Sequence, residues 1–325
     1  MATEADAISM EPCIVDYNTT AALTGGQVIQ LPSGRAGVVL RDKAATSAAA
    51  PAAVATHGIF SVDKASSVVL LAGGRVFWDH SANNATYKPV NDRDFYLGTV
   101  VADAASTDTS VQVNLNVQQA TEIDLLRDAA LSVATGTAAA GGFGLPAVYG
   151  NARGLSLTAT NEAQCVDMLS VDRRSVSSKG IAEFIVRLGA NGSTSAVDIN
   201  VGLANGTSTT DADAVTEHVF FHIDGGALDI LAQSKDGTTT VTATDTTIDA
   251  TAGSAVANRL EFWIDARDTS SVKLYINGAR VLSGTTFVLS AATGPLGLLA
   301  HVEKTSGTAT AGPVYIDRAV LRTVE

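Results

Sequence analysis

Val272-Lys273-Leu274-Tyr275-Ile276-Asn277-Gly278-Ala279-Arg280-Val281-Leu282 decides the fold of the longer part of this chain. Apolar and polar residues alternate on both sides of Asn277-Gly278. An Asn-Gly pair between alternating runs favours a type I′ hairpin, because both central residues must adopt positive φ. Outward from this hairpin, runs of strand character recur: Gly154–Ala159, Cys165–Val171, Gly180–Leu188, Ala196–Ala204, Thr216–Ile223, Ala227–Gln233, Thr238–Ala243, Asn258–Ala266, Gly297–Lys304 and Gly312–Arg322. Asp224-Gly225-Gly226 and Asp236-Gly237 add two turns of the same kind. Strands at this density, joined by glycine turns, predict an antiparallel β-sandwich of jelly-roll type over residues 145–325.

Residues 12–117 read as a second, smaller all-β domain, barrel-like, built from Cys13–Val15, Val28–Leu31, Ala36–Leu40, His57–Val62, Arg75–Trp78, Phe95–Ala102 and Ser110–Val117. In the last run Val111, Val113, Leu115 and Val117 alternate with Gln112, Asn114 and Asn116, the period of a strand with one wet face. Ala44–Ala53 has no apolar period and contains Pro51, so it reads as a surface loop. Residues 1–11 are expected to form an arm without a core of its own. Residues 118–144 read as a linker. Within it, Thr121–Asp128 reads either as a short helix, with a Thr cap, acidic residues in the first turn and Ile123, Leu126 and Ala130 on one face, or as an extended linker.

Composition narrows the function. Lys and Arg total 21 against 33 Asp and Glu, a net charge of −12 without any basic run, which disfavours a nucleic-acid partner. The longest small-residue stretch, Ser47–Ala55, is far short of the roughly 18 apolar residues of a membrane span. Glu4, Asp6 and Glu11 near the start are the opposite of a basic secretory signal, so synthesis in a cytoplasm is expected. Cys13 and Cys165 fall in different domains and are expected to be free thiols.

Catalytic and cofactor motifs are missing: no GxSxG, HExxH, phosphate-binding loop or dinucleotide fingerprint occurs. No enzymatic activity, no cofactor and no metal site is expected. His218 and His222 have helical metal-pair spacing, but the alternation around them is that of a strand, which places the rings about 13 Å apart. Asp211/Asp213 and Asp245/Asp249 offer loop carboxylates without the twelve-residue calcium pattern. Glu183, Glu217 and Glu261 fall on strands, where paired carboxylates for glycoside hydrolysis are the functional reading and solvent-facing residues the favoured one. Trp263, Tyr275 and Tyr315 are the aromatic candidates for stacking on a sugar, with core packing the competing reading for Trp263.

A further constellation lies in the first domain. Lys64-Ala65-Ser66, Gly73-Gly74-Arg75-Val76-Phe77-Trp78-Asp79, Tyr96-Leu97-Gly98-Thr99-Val100 and Thr109-Ser110-Val111-Gln112-Val113 resemble a family of tailed-phage proteins with the pattern KAS, GD.VYWD, IG.AV and TTV.V.L. Val15-Asp16-Tyr17, Gly25-Gly26-Gln27-Val28-Ile29 and His57-Gly58-Ile59-Phe60 fit its other strands. Members look like capsid decoration (cement) proteins on the outside of the head shell. The resemblance implies a virion location, the major capsid protein as partner and a homotrimer. Arg75 stands where the pattern carries an acid. More weakly, Lys273–Gly278 and Val314–Asp317 resemble concanavalin-like and laminin-G-like jelly rolls, which implies the alternative of a carbohydrate-binding module for a host glycan.

Overall fold

The computed structural model describes residues 5–9, 13–127, 129–136, 152–189, 196–253, 255, 258–307 and 313–323. The chain divides into two compact units, Met1–Ala120 and Thr121–Glu325.

The first unit contains β1 (Ala5–Ser9), β2 (Ile14–Thr19), β3 (Val28–Gln30), β4 (Ala36–Val39), β5 (Ala50–Ala55), β6 (Ile59–Asp63), β7 (Arg75–Asp79), β8 (Asn84–Thr86), β9 (Phe95–Val100) and β10 (Ser110–Leu115). They form a six-stranded sheet, β1-β6-β10-β9-β7-β8, and a four-stranded sheet, β2-β5-β4-β3. The alternation read in β10 is realised: Val111, Val113 and Leu115 are buried while Ser110 and Gln112 face solvent. Asn116, just past β10, adopts positive φ and ties the two sheets together. Its Nδ2 donates to the carbonyls of Ala36 and Thr56 at 2.9 Å each, and its Oδ1 accepts from the Ala36 N–H at 2.9 Å. At Gly98 the β10 backbone comes so close that a Cβ would lie 2.1 Å from the Asn114 carbonyl oxygen, so no side chain fits there.

Two expectations for this unit are corrected. Ala5–Ser9 is not a free arm but an edge strand antiparallel to β6, whose backbone groups would otherwise be unpaired on that side. The segment read as a loop, residues 44–53, ends in β5, which pairs with both β2 and β4. Pro51 is tolerated because β4 reaches only Val54 and Ala55, so the missing N–H lies beyond that ladder.

In the second unit the strands are β11 (Ile123–Asp124), β12 (Ala129–Thr135), β13 (Arg153–Leu155), β14 (Gln164–Ser170), β15 (Arg174–Ser175), β16 (Gly180–Leu188), β17 (Val197–Ala204), β18 (Glu217–Asp224), β19 (Asp229–Asp236), β20 (Thr240–Asp249), β21 (Leu260–Asp265), β22 (Lys273–Ile276), β23 (Ala279–Val281), β24 (Pro295–Lys304) and β25 (Val314–Thr323). One sheet runs β11-β25-β16-β21-β22-β23 with β13 also on β25. The other runs β12-β14-β24-β17-β18-β19-β20 with β15 also on β24. Their inner faces share one apolar core, with Phe184, Phe262 and Ile316 from the first sheet against Val201, Phe221 and Leu298 from the second. Phe221 and Phe262 stack across it at 4.6 Å between centroids. The β22–β23 hairpin closes on Asn277 and Gly278 at φ 51° and 76°, as its sequence requires. The edge strand β20 is rich in Thr and Asp and largely exposed, a composition that discourages pairing with another chain.

The short helix expected over Thr121–Asp128 is not formed. Ile123 and Asp124 pair with Leu321 and Val320, and the N–H groups of Glu122 and Leu125 donate to the carbonyls of Leu321 and Ala319. Ile123 and Leu125, two apart, both enter the core, which a helix would not allow. The open edge of β25 thus outcompetes a weak eight-residue helical pattern. Among the described residues no helix is long and apolar enough to cross a membrane.

Candidate functional site

In the first unit the residues that carry the family pattern serve the local fold. Lys64 is 6% exposed, and its ammonium donates to the carbonyls of Ala65 at 3.0 Å and Val68 at 2.7 Å, closing the turn that follows β6. Burial lowers its pKa, with the charge of Asp108 opposing. Asp79, at the end of β7, accepts from the Ser81 hydroxyl at 2.6 Å and from the N–H groups of Ser81 and Ala82, and these bonds hold its carboxyl below the usual range. Arg75, where the pattern has an acid, lays its guanidinium 5.6 Å from the Phe77 ring centroid. Tyr96 donates its hydroxyl to the Val117 carbonyl at 2.7 Å.

In the second unit, chemistry gathers on the face of the β14–β24–β17–β18 sheet turned away from the core. Antiparallel register sets Asp167 opposite His301 and Cys165 opposite Glu303, so strand alternation puts all four side chains on one face as a small grid. His301 is 0% exposed, with Nδ1 2.5 Å from Asp167 Oδ1 and Nε2 2.6 Å from Glu303 Oε2. Burial alone would lower its pKa, but the bonds to Asp167, Cys165 and Glu303 hold it well above the ordinary value. Burial pushes the Cys165 thiol and the Glu303 carboxyl up, against the pull of His301. The Cys165 thiol donates to the Ser208 carbonyl at 3.3 Å and lies 3.6 Å from both His301 ring nitrogens.

The row continues across the sheet. Asn200 on β17 is the partner of His301 on one side and of His222 on the other. Its Oδ1 lies 3.0 Å from His222 Nδ1, while Nδ2, buried, has no partner among the described residues. His222 Nε2 is 3.4 Å from Asp198. Burial disfavours its charge, but Asp198 prevails and raises its pKa. His218 is on the same strand, so the pair does not converge. It contacts the Val215 carbonyl at 2.9 Å, and burial depresses its pKa to about 4.

The sugar-stacking candidates do not assemble a platform. Trp263 is 4% exposed and Tyr275 5%, partners across β21 and β22 with centroids 5.9 Å apart. The Trp263 indole donates to Glu261 at 3.0 Å. Tyr315 is half-buried beneath the Arg187 guanidinium, 4.9 Å from its ring centroid. The three glutamates are buried and partnered, not solvent-facing. Glu183 pairs with Arg322, Glu261 holds Trp263, and Glu217 accepts from the N–H groups of Thr293 and Gly294 at 2.8 Å each. Each has a donor within its own unit, so burial does not strand a charge. Asp211 caps a short 3₁₀ turn through the Asp213 N–H, and Asp245 accepts from the Thr247 N–H.

Residues 8–115 match the phage cement protein family. The cement match runs from within β1 to the last residue of β10 and includes none of the sandwich. No curated protein matches the chain. Among solved structures it is similar to the Emp46p carbohydrate recognition domain in its potassium-bound form (12% identity, 62% of this chain and 91% of that one, TM-score 0.37). It is also similar to the alginate lyase AlyC3 (9%, 62% and 92%, TM-score 0.43) and to LamAcat from Zobellia galactanivorans (10%, 54% and 78%, TM-score 0.39). No ligand or activity carries over from these to the present chain.

Proposed function

We propose that the chain is a capsid decoration protein whose cement-like unit docks on the major capsid protein at the outside of a phage head, as a homotrimer, with the sandwich carried on the virion surface. The match of residues 8–115 to the cement family carries this reading. Its support is that the pattern residues Lys64, Asp79 and Gly98 each have a defined role in holding a compact β-unit, so the match coincides with a folded body. The function is mechanical and non-enzymatic: a subunit that binds only the assembled shell stabilises it by mass action. Closed threefold symmetry would limit assembly to the trimer. The charge of −12 keeps free subunits apart in the host cytoplasm before docking.

Electron microscopy of expanded capsids lacking the protein, incubated with the full chain, tests the proposal. Density at threefold joints and a higher rupture temperature are expected; bare joints with unchanged rupture would overturn it. Burial of Trp263 and Tyr275 weighs against the host-glycan alternative through those rings. A reproducible hit of the full chain on a glycan array would reinstate it.

A further inference from the structure

We propose that Cys165, Asp167 and His301 form a binding site for a thiophilic divalent cation of the zinc class, with Glu303 fixing the histidine. The inference is independent of capsid docking.

The donor set is the first argument. A sulfur, a nitrogen and a carboxylate oxygen lie within 4.8 Å of one another, and all three residues are buried. Mixed Cys, His and Asp ligation suits zinc, whereas calcium and magnesium take oxygen alone.

Distances are the second. Bonds of about 2.3 Å to sulfur and about 2.0–2.1 Å to nitrogen or oxygen in a tetrahedron place sulfur about 3.5 Å from the other ligands. Here Sγ is 3.6 Å from His301 Nδ1 and 3.9 Å from Asp167 Oδ2. Loading requires the Nδ1 to Oδ1 contact of 2.5 Å to open and the thiol, now equidistant from both ring nitrogens, to slide toward Nδ1. Glu303 at 2.6 Å from Nε2 supplies the carboxylate that orients a metal-bound histidine and leaves Nδ1 as the ligand.

Cobalt reports the site directly. The full chain, stripped with chelator and titrated with Co2+, is expected to bind one equivalent with a thiolate-to-cobalt charge-transfer band and intense visible bands of tetrahedral type. Cys165→Ser should abolish the charge-transfer band and Cys13→Ser should leave it, since Cys13 is exposed in the other unit. Glu303→Gln should weaken binding about 10–100-fold without removing the band. In the unaltered protein, zinc should slow alkylation of Cys165 but not of Cys13 in peptide mapping, a readout that needs no variant to fold. Absence of the band, its survival in Cys165→Ser, or alkylation of Cys165 unaffected by zinc would overturn the proposal.

Discussion

The buried polar side chains described above are held differently in the two units. In the cement-like unit Lys64, Asp79 and Asn116 each secure a turn or a sheet junction, and the first two do so with groups one to four residues away. In the sandwich the comparable groups meet from segments far apart in sequence: Asp167 and His301, Glu217 and Gly294, Arg187 and Asp317. A local clamp leaves a short pattern in the sequence, whereas a cluster assembled by register leaves isolated residues. The first unit therefore carries a recognisable signature without an evident reactive centre, and the second carries a polar centre without a signature.

The strongest way to break this comparison is to ask whether the units stand on separate cores. Phe221→Ala removes a ring stacked on Phe262 and should cost the sandwich about 3–5 kcal/mol. Trp78 lies in the first unit and Trp263 in the second, both buried, so single-tryptophan variants report each unit's denaturant transition by fluorescence. The Trp263 midpoint is expected to fall and the Trp78 midpoint to stay. Equal shifts in both would mean one cooperative body, and the contrast between the units would lose its energetic meaning.

What was legible follows the same division. The period of β10, the Asn277-Gly278 turn and the density of strands sufficed for the all-β class, because each depends on neighbours in sequence. The helix expected at Thr121–Asp128 failed because the competing partner, β25, lies some two hundred residues later in the chain. The Cys165, Asp167, His301 and Glu303 grid leaves no motif in the sequence for the same reason: it is two i, i+2 pairs on adjacent strands rather than a spacing within one segment. A usable signal was present all the same. Asp167 interrupts a strand buried at all seven positions, and a carboxylate placed there demands a partner.

Acid sharpens the comparison at a second site. Glu217 and Asp236 face each other across β18 and β19, and both reach the loop before β24, through Thr293 and Gly294 and through Ala291. Burial alone would raise both carboxyls, but the N–H donors prevail and hold them below the usual range. A depressed folded pKa stabilises fully above the unfolded value, about 4, and is lost as pH falls through the lower folded value. The contribution of Glu217 and Asp236 to the stability of the sandwich should thus be constant from neutrality to about pH 5 and decline below pH 4. Glu217→Gln should be less stable at pH 7, with the gap to the unaltered protein narrowing on acidification. A gap independent of pH would assign the effect of Glu217 to packing.

The smallest expected effect falls on the stretch that decided the fold. Gly278 sits at φ 76°, a region that costs an L-residue about 1–2 kcal/mol, while Asn277 at φ 51° tolerates it. Gly278→Ala should therefore lower the sandwich midpoint by about 1 kcal/mol and leave the register of Ile276 with Ala279 intact, visible as unchanged amide exchange protection in β22. The pairing survives because Leu274 and Ile276 bury into the common core, and a slip of one residue would turn both to the other face. If protection in β22 collapses instead, the turn, not the core, sets the register of this edge. The Asn-Gly signal would then be a cause of the sandwich fold as well as its clearest sign.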